Sequence, residues 1–460
     1  MIVQPTLRAS RAVLEDAATM APRYDRAGFV GVPRLRAAAR KNSIAIWLSM
    51  IGLIIPAADA VVYIGGAKFT AGKLSIVLLI LPALAALFAR GRTLVLSDAF
   101  ACATAAWIVM AADQIEGSNT MSSALSECLE FFGSYVIARG FIYGPAALRE
   151  FVRVLKILAF LTLLFAISES LSGRLIVHEI VASLFGTVPP DEQYRNGMVR
   201  AMATFDHAIL YGAFCCFTGA VLLYAESNVV KRTIYVGLCI LGCLLSWSSS
   251  SLMSLAIVIA AYCYDGAMQR YSWRWVLFWT MAAVPVIGLF ALSENPMSWF
   301  ISHLTLEPES GYFRLMIWSA AFERLAESPF IGFGFNSLNS DILDATVDSV
   351  WLVLALRFGI PMIALFLLTN LTACLPAKRR GGIRGRDTGM DGFATAFTLV
   401  LSMFIFIGLM VHFWNFMWIF WGLCIGIRAS LREWSFSEAA QRAAQYRTAP
   451  GLARMAPVGQ

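Results

Sequence analysis

From residue 44 to residue 428 this chain is a series of apolar runs separated by shorter polar stretches, and that pattern constrains the fold more than anything else in it. Hydrophobic residues make up 59% of the chain and charged residues 14%. In water, 460 residues could not hide that much apolar surface around a core, and the mean hydropathy of +0.69 agrees. The fold class that follows is all-α, a polytopic integral membrane protein. Twelve candidate spans lie near 44–64, 74–89, 98–112, 123–138, 152–170, 207–225, 233–247, 250–265, 275–292, 350–374, 393–410 and 411–428. Several are shorter than the roughly 20 residues of a full helical crossing. The 233–265 stretch has a polar middle, Ser246-Trp247-Ser248-Ser249-Ser250-Ser251, suited to a turn at an interface.

Charge orients the spans. Arg90 with Arg92, then Arg139, Arg149, Arg153 and Lys156, fall on one side, as do Lys231, Arg232, Arg270, Arg274 and the run Lys378 to Arg386. The opposite loops carry Asp113 with Glu116, residues 171–206 and residues 293–349. Basic loops stay cytoplasmic, so both termini are expected inside, and Lys68 with Lys73 is the exception. The net charge of +7 then reflects topology rather than nucleic-acid binding. Residues 1–43 read as a disordered basic cytoplasmic tail rather than a cleaved signal, since Arg8, Arg11 and Arg23 precede any apolar core. A membrane domain is expected over 44–430 and a second cytoplasmic tail over 431–460. No internal repeat is visible. The nine cysteines lie in apolar segments without a CxxC pair or a Cys/His cluster, as small packed residues do.

Residues 293–349 hold eight carboxylates and two arginines between two apolar runs, too polar to enter a bilayer. Within them, Phe313, Ile317, Ala320, Ala321 and Phe322 follow helical spacing, and Pro329 with Gly332 and Gly334 ends that helix in a sharp turn. The earlier outer loop ends in Arg200 to His207 and runs straight into a span. Arg200 and Arg314 are suited to a diphosphate, because a guanidinium stays charged and donates paired hydrogen bonds. The alternative is that each pairs with a loop carboxylate. Candidate bases are Asp348, Asp344, Glu169, His207 and His303. Asp348 stands just before a span, where it could work as a base or serve as the cap of the following helix. Glu127 and Glu130 fall within a span; intramembrane carboxylates are usually functional, or they pair with basic residues of neighbouring helices. His412 lies at the outer rim between the last two spans. There is no P-loop, dinucleotide fingerprint, Ser-His-Asp signal or metal-ligand spacing, and no large soluble domain of the kind a nucleotide-sugar transferase needs.

Three stretches together resemble the O-antigen polymerase/ligase superfamily of bacterial membrane glycosyltransferases. Arg200 to His207, with Ala208 to Gly212 after it, is similar to that family's Arg-x-x-x-Thr-Phe-x-His element. Tyr312 to Gly334 resembles its Arg-x-x-x-Trp helix followed by Pro-x-x-Gly-x-Gly, which adds Trp318, Arg324, Gly332 and Gly334 as supporting residues. Asp348 to Pro361 is similar to the start of the next span and its glycine-containing end. Ligases of the superfamily usually carry His-Asn where this chain has Asp348-Ser349, which looks more like polymerases of exopolysaccharide or capsule repeats. The resemblance implies an enzyme without cofactor or metal at the periplasmic face of the inner membrane. Its donor and acceptor are polyprenyl-diphosphate-linked oligosaccharides, and its further partners are the lipid bilayer and a chain-length regulator. Arg200 and Arg314 are then expected to bind the diphosphate, and Asp348 and His207 to be catalytic. Two alternatives stand beside this reading: a ligase moving glycan to lipid A core or protein, and a transporter or flippase of lipid-linked sugars, toward which Glu127 and Glu130 lean.

Overall fold

The computed structural model describes residues 42–64, 67–89, 92–115, 120–292, 308–376 and 390–448. The basic tail up to residue 41, His303, the Lys378 to Arg386 run and the end of the chain from residue 449 lie outside the described residues.

The protein is overwhelmingly helical. A helix over 42–49 (α1) and a 3-10 turn at Ile51–Leu53 lead to a small hairpin, β1 (Val62–Ile64) with β2 (Ala67–Phe69), in which Val62 faces Phe69. There follow α2 (Ala71–Leu87), α3 (Leu96–Asp113), α4 (Thr120–Cys128), a π-turn at Leu129–Gly133, α5 (Ser134–Phe141), α6 (Gly144–Ser172) and α7 (Ile176–Phe185). A second hairpin, β3 (Tyr194–Arg195) with β4 (Met198–Val199), precedes α8 (Ala208–Ala225), α9 (Val229–Leu245), α10 (Ser249–Ala267) and α11 (Arg274–Leu292). Then come α12 (Pro308–Leu325), α13 (Asp341–Ala345), α14 (Val350–Phe358), α15 (Ile360–Cys374), α16 (Met390–Ile407) and α17 (Phe416–Thr448). Five of these, α3, α6, α8, α10 and α16, are long and apolar enough to cross a membrane. Helices α2, α7 and α15 and most of α11 are apolar but shorter.

Local sequence explains the boundaries. Pro145 opens α6, where a missing N–H costs nothing, and Gly173 closes it with φ +71°. The two halves of the α4–α5 rod are joined through the π-turn, so it runs without a break from Thr120 to Phe141. Helix α17 lies directly against that rod. A Cβ on Gly422 would sit 2.7 Å from the Phe131 carbonyl oxygen, and one on Gly426 would sit 2.5 Å from that of Tyr135. Small residues at this four-residue spacing let two backbones approach, as membrane helices do. Beside this contact is an aromatic core in which Trp421 of α17 lies 4.7 Å from Phe366 of α15 and 4.9 Å from Phe404 of α16, ring centre to ring centre. Its indole N–H donates to Asn370 Oδ1 at 2.9 Å, so the one polar atom of the ring is satisfied inside the core.

Three sequence expectations change. Residues 44–64 are not one spanning helix: the helix stops at residue 49, and turns carry the chain on to β1. The segment still runs along the helix pack, because Ser43 donates to Glu150 near the start of α6 at 2.9 Å while Asp59 meets His178 beyond its end at 2.6 Å. The expected 350–374 span is broken in two at Gly359, which has φ +78° and ψ 173°. A Cβ there would sit 2.0 Å from the Phe330 carbonyl oxygen, so only glycine lets the loop before α13 reach the break. Helix α14 is buried along its whole length except at Arg357, as a central element and not a lipid-facing one. Finally, α17 continues through the boundary placed at residue 430, with Ser430 and Glu433 both buried. All nine cysteines are free, and Cys215, Cys216, Cys239 and Cys243 are packed between α8 and α9.

Candidate functional site

The two expected arginines are held in different ways. Hairpin β3–β4 docks onto the serine-rich turn between α9 and α10, where Arg195 donates to the Trp247 carbonyl at 2.7 Å and Ala201 N–H to the Leu245 carbonyl at 3.0 Å. Arg200 follows directly. Its Nε donates to the Ser246 carbonyl at 3.3 Å and its Nη1 to Gln193 Oε1 at 3.2 Å. The turn thus holds the guanidinium in part through two neutral oxygens. Ala203, with φ +56°, then reverses the chain, and Phe205 plugs it into the core against Phe214 at 5.2 Å.

His207 ends this loop as the cap of α8. Its Nδ1 accepts the Ile209 N–H at 3.1 Å, so the proton of the neutral ring sits on Nε2. Burial, reinforced by the charge of Arg200, pushes its pKa down to about 4, against a smaller opposing pull from Asp348. His207 is therefore a neutral hydrogen-bond donor at physiological pH. With Nδ1 occupied by the backbone, this geometry gives it no free lone pair with which to act as a base. Its ring meets Trp414 edge to face at 6.1 Å, and Trp414 in turn lies 5.6 Å from His412. Burial drives the pKa of His412 down to about 3, so that ring is neutral too.

Arg314 lies on α12, which packs onto α14 through Ile317, Ala321 and Leu325. Phe313 and Phe322, expected on the buried stripe, are exposed instead. Trp318, one turn beyond Arg314, packs at the edge of that cluster and 5.6 Å from Phe322. Among the described residues Arg314 meets Asp348 alone: Nε lies 3.6 Å from Oδ2, and this buried Nε donates no hydrogen bond. Asp348 also accepts from the Thr346 hydroxyl at 2.9 Å. It does not cap α14. Ser349 holds the cap position, and its hydroxyl donates to the Gly408 carbonyl at 3.0 Å. The capping alternative for Asp348 therefore gives way to an ion pair with a half-exposed carboxylate.

The Pro-x-x-Gly-x-Gly stretch is a docking strap. Phe333 N–H donates to the Leu356 carbonyl at 2.7 Å, Gly334 N–H to that of Arg357 at 3.0 Å, and Ile360 N–H to that of Pro329 at 2.8 Å. Gly332 has φ +79°, and a Cβ on it would lie 2.6 Å from the Leu356 oxygen. Both glycines thus support the site by fixing the loop to the end of α14 and the start of α4. Arg324 pairs with Glu327 and lies 4.4 Å over the Phe333 ring, a local brace of the same strap.

The other candidates have structural partners. Asp344 accepts from Leu338 N–H at 2.7 Å and from Ser337, which holds its pKa below the usual carboxylate range. Glu169 is fully buried and accepts the N–H groups of Met202 and Ala203. Glu127 pairs with Arg357 and Glu130 with Lys73, each at 3.1 Å, as the pairing alternative requires. Sequence reasoning passed over Gln193 and Trp414. Gln193 carries no signal in sequence, whereas Trp414, two residues from His412, does.

Arg314 and Asp348 form an ion pair, and the charges of Asp348 and Arg200 both act on His207. These residues offer two cations, a neutral donor and a carboxylate. No protein-family model matches the chain, and no curated protein matches it closely enough to count as a relative.

Proposed function

We propose that this protein is a membrane glycosyltransferase that polymerises oligosaccharide repeat units carried on polyprenyl diphosphate, at the periplasmic face of a bacterial inner membrane. The observation that carries the reading is Arg314, a guanidinium held loosely beside Asp348 whose Nε has no hydrogen bond among the described residues. A guanidinium with a donor to spare is what a diphosphate needs, because the charge that develops on the leaving group meets a preorganised donor.

In this reading the donor's diphosphate takes the guanidinium of Arg314 away from Asp348 and bridges to Arg200. The freed carboxylate accepts the proton of an acceptor sugar hydroxyl as its oxygen bonds to the anomeric carbon. The bond from that carbon to the diphosphate breaks, and both electrons leave with the lipid diphosphate. His207 Nε2–H donates a hydrogen bond to the reacting sugars. Apolar side chains left exposed on α2, α6, α9 and α11, such as Leu81, Phe160, Ile234 and Val276, face lipid. Twelve crossings with both termini in the cytoplasm keep the arginine-rich turns inside; the first crossing is α1 plus the irregular chain to β1. Asp348-Ser349 in place of His-Asn favours chain polymerisation over ligation. The ion pairs of Glu127 and Glu130 take away the main support for a transporter.

The test is chain extension by the reconstituted protein on a lipid-linked oligosaccharide, followed by gel analysis of product length with chelator present. The native protein should build a ladder. Asp348→Asn, which keeps shape but cannot take the proton, should lower the rate about 100-fold or more. A normal ladder from that variant would remove Asp348 from the chemistry, and no ladder from the native protein would remove the polymerase assignment.

A further inference from the structure

The loop that carries Arg200 and His207 is suspended from a carboxylate behind it. Glu169, in the last turn of α6, is fully buried. Its Oε2 accepts two consecutive N–H groups, Met202 at 2.9 Å and Ala203 at 2.8 Å. These amides sit between the two polar residues of the loop. Ala203 is one of the few non-glycine residues with positive φ, at +56°, and Phe205 N–H closes the turn onto the Met202 carbonyl at 2.9 Å. An alanine in the left-handed region costs about 1 kcal/mol, so something must hold it there.

Further buried polar groups stand around this clamp. Asp206 Oδ2 accepts from Asn415 Nδ2 at 2.6 Å, and its carboxylate stands near the backbone of Ala58. The next residue, Asp59, meets His178 of α7 at 2.6 Å with both side chains fully buried, and Thr187 donates to the Asp59 carbonyl at 3.0 Å. His178 lies within electrostatic reach of both Glu169 and Asp206. Five separate parts of the chain converge here: the segment before β1, the end of α6, α7, the 202–206 turn and the start of α17.

We infer that Glu169 is a positioning residue: it fixes the turn at Met202–Ala203, and so sets Arg200 and His207 in place, with Asp206 and the Asp59–His178 pair as its support. Its effect on turnover rests on the function proposed above; its effect on the loop does not. The role depends on the reach and acceptor geometry of the side chain rather than on its charge. A carboxamide oxygen on a side chain of the same length can take the same two N–H groups, whereas aspartate keeps the charge and withdraws the oxygen by about one bond length.

The experiment compares Glu169→Gln, Glu169→Asp and Glu169→Ala in lipid nanodiscs by amide hydrogen exchange over residues 198–207 and by chain extension. The Gln variant should keep loop protection and turnover within about threefold of the native protein, the span of an ordinary single hydrogen bond. The Asp and Ala variants should raise exchange in this loop about tenfold or more. They should lower extension about 100-fold, the usual consequence of displacing a positioned group by an ångström. On an Arg200→Ala background, Glu169→Asp should cost less than it does alone, because part of its effect runs through Arg200 and only the part through His207 remains. If Ala fails to accumulate, the Asp and Gln pair carries the test. The reverse order, Asp near native and Gln defective, would overturn the inference in favour of a charge-based structural role. So would unchanged exchange in the loop, or losses that multiply with Arg200→Ala. If the native protein extends no chain but the exchange order holds, the polymerase reading fails and the positioning role of Glu169 stands.

Discussion

Arginines stand beside carboxylates at both ends of the α4–α5 rod, and the two ends treat them differently. At the α5 end, Arg139 is fully buried and every part of its guanidinium is used: Nε donates to Asp98 at 2.8 Å, Nη2 to Asp98 at 3.0 Å and Nη1 to Glu433 at 2.7 Å. Arg92 completes the set with two further bonds to Glu433, both at 2.9 Å, and lies 3.9 Å over the Tyr143 ring. About 28 Å away along the rod, by the rise of a helix, Gly334 of the docking strap rests against Thr120. On that side Arg314 holds, among the described residues, one carboxylate at 3.6 Å, and its Nε donates no hydrogen bond. A saturated arginine fastens helices together. An undersatisfied one at a loop–helix junction is free to hold something else. The difference separates a staple from a candidate site, although composition alone makes the two clusters look alike.

The sharpest way to break this contrast is to remove Arg139. Arg139→Ala leaves Asp98 and Glu433 buried without their partner, which costs about 3–5 kcal/mol. The variant should fail to accumulate in membranes, measured by immunoblot of membrane fractions. Normal accumulation would mean that the buried network is not a staple. Next in size is the opposite end. Arg200→Ala and Arg314→Ala should accumulate normally but lower chain extension by about 100- to 1000-fold. Lysine at either position should restore only part of the rate, since an ammonium lacks the paired donors. If both alanine variants stay fully active, the site end is as structural as the other.

How much of this is legible in sequence depends on the range of the interaction. Helices α8 and α16 read directly as apolar runs, because burial and lipid contact both select for apolar side chains along their length. Arg200, His207 and Asp348 stand out as polar residues where loops meet such runs. The 44–64 segment misleads because apolar content does not report backbone: Pro56 and the buried Asp59 belong to a turning chain held by tertiary contacts. The break at Gly359 left a trace in Gly359-Ile360-Pro361, but hydropathy passes over it because both halves are apolar. The partners of the site residues are the least legible. Asp59 and His178 are 119 positions apart, and Asp206 and Asn415 are 209 apart. Nothing local in either residue selects its distant partner.

A smaller effect is expected from pH. His207 has its pKa held near 4 in the folded protein, below the ordinary value of about 6.5. Between those values the unfolded chain binds the proton more readily than the folded one. This group therefore removes stability as pH falls through the window from about 6.5 to about 4, and contributes no pH dependence above it. In His207→Asn, which can still cap α8, the thermal midpoint in detergent should fall less between pH 6.5 and pH 4.5 than in the native protein. An identical fall in both proteins would mean that His207 is not the buried neutral donor described for the site.

The smallest effect is assigned to Arg324, and it tests whether position or pairing decides an arginine's role. Arg324 shares helix α12 with Arg314, ten residues further on. That spacing puts it about 15 Å along the axis and about 80° round the helix, away from Asp348. It already has a close carboxylate in Glu327 and an aromatic face in Phe333, though its Nε, like that of Arg314, donates no hydrogen bond. An ion pair with a partner as exposed as Glu327 contributes about 0–1 kcal/mol. Arg324→Ala should therefore loosen the strap slightly and change chain extension by no more than about twofold, with normal accumulation. Should it instead match the loss in Arg314→Ala, an idle Nε would be the feature that matters and the distance to Asp348 would not, and the anion site would extend along α12 to the Pro329–Gly334 strap.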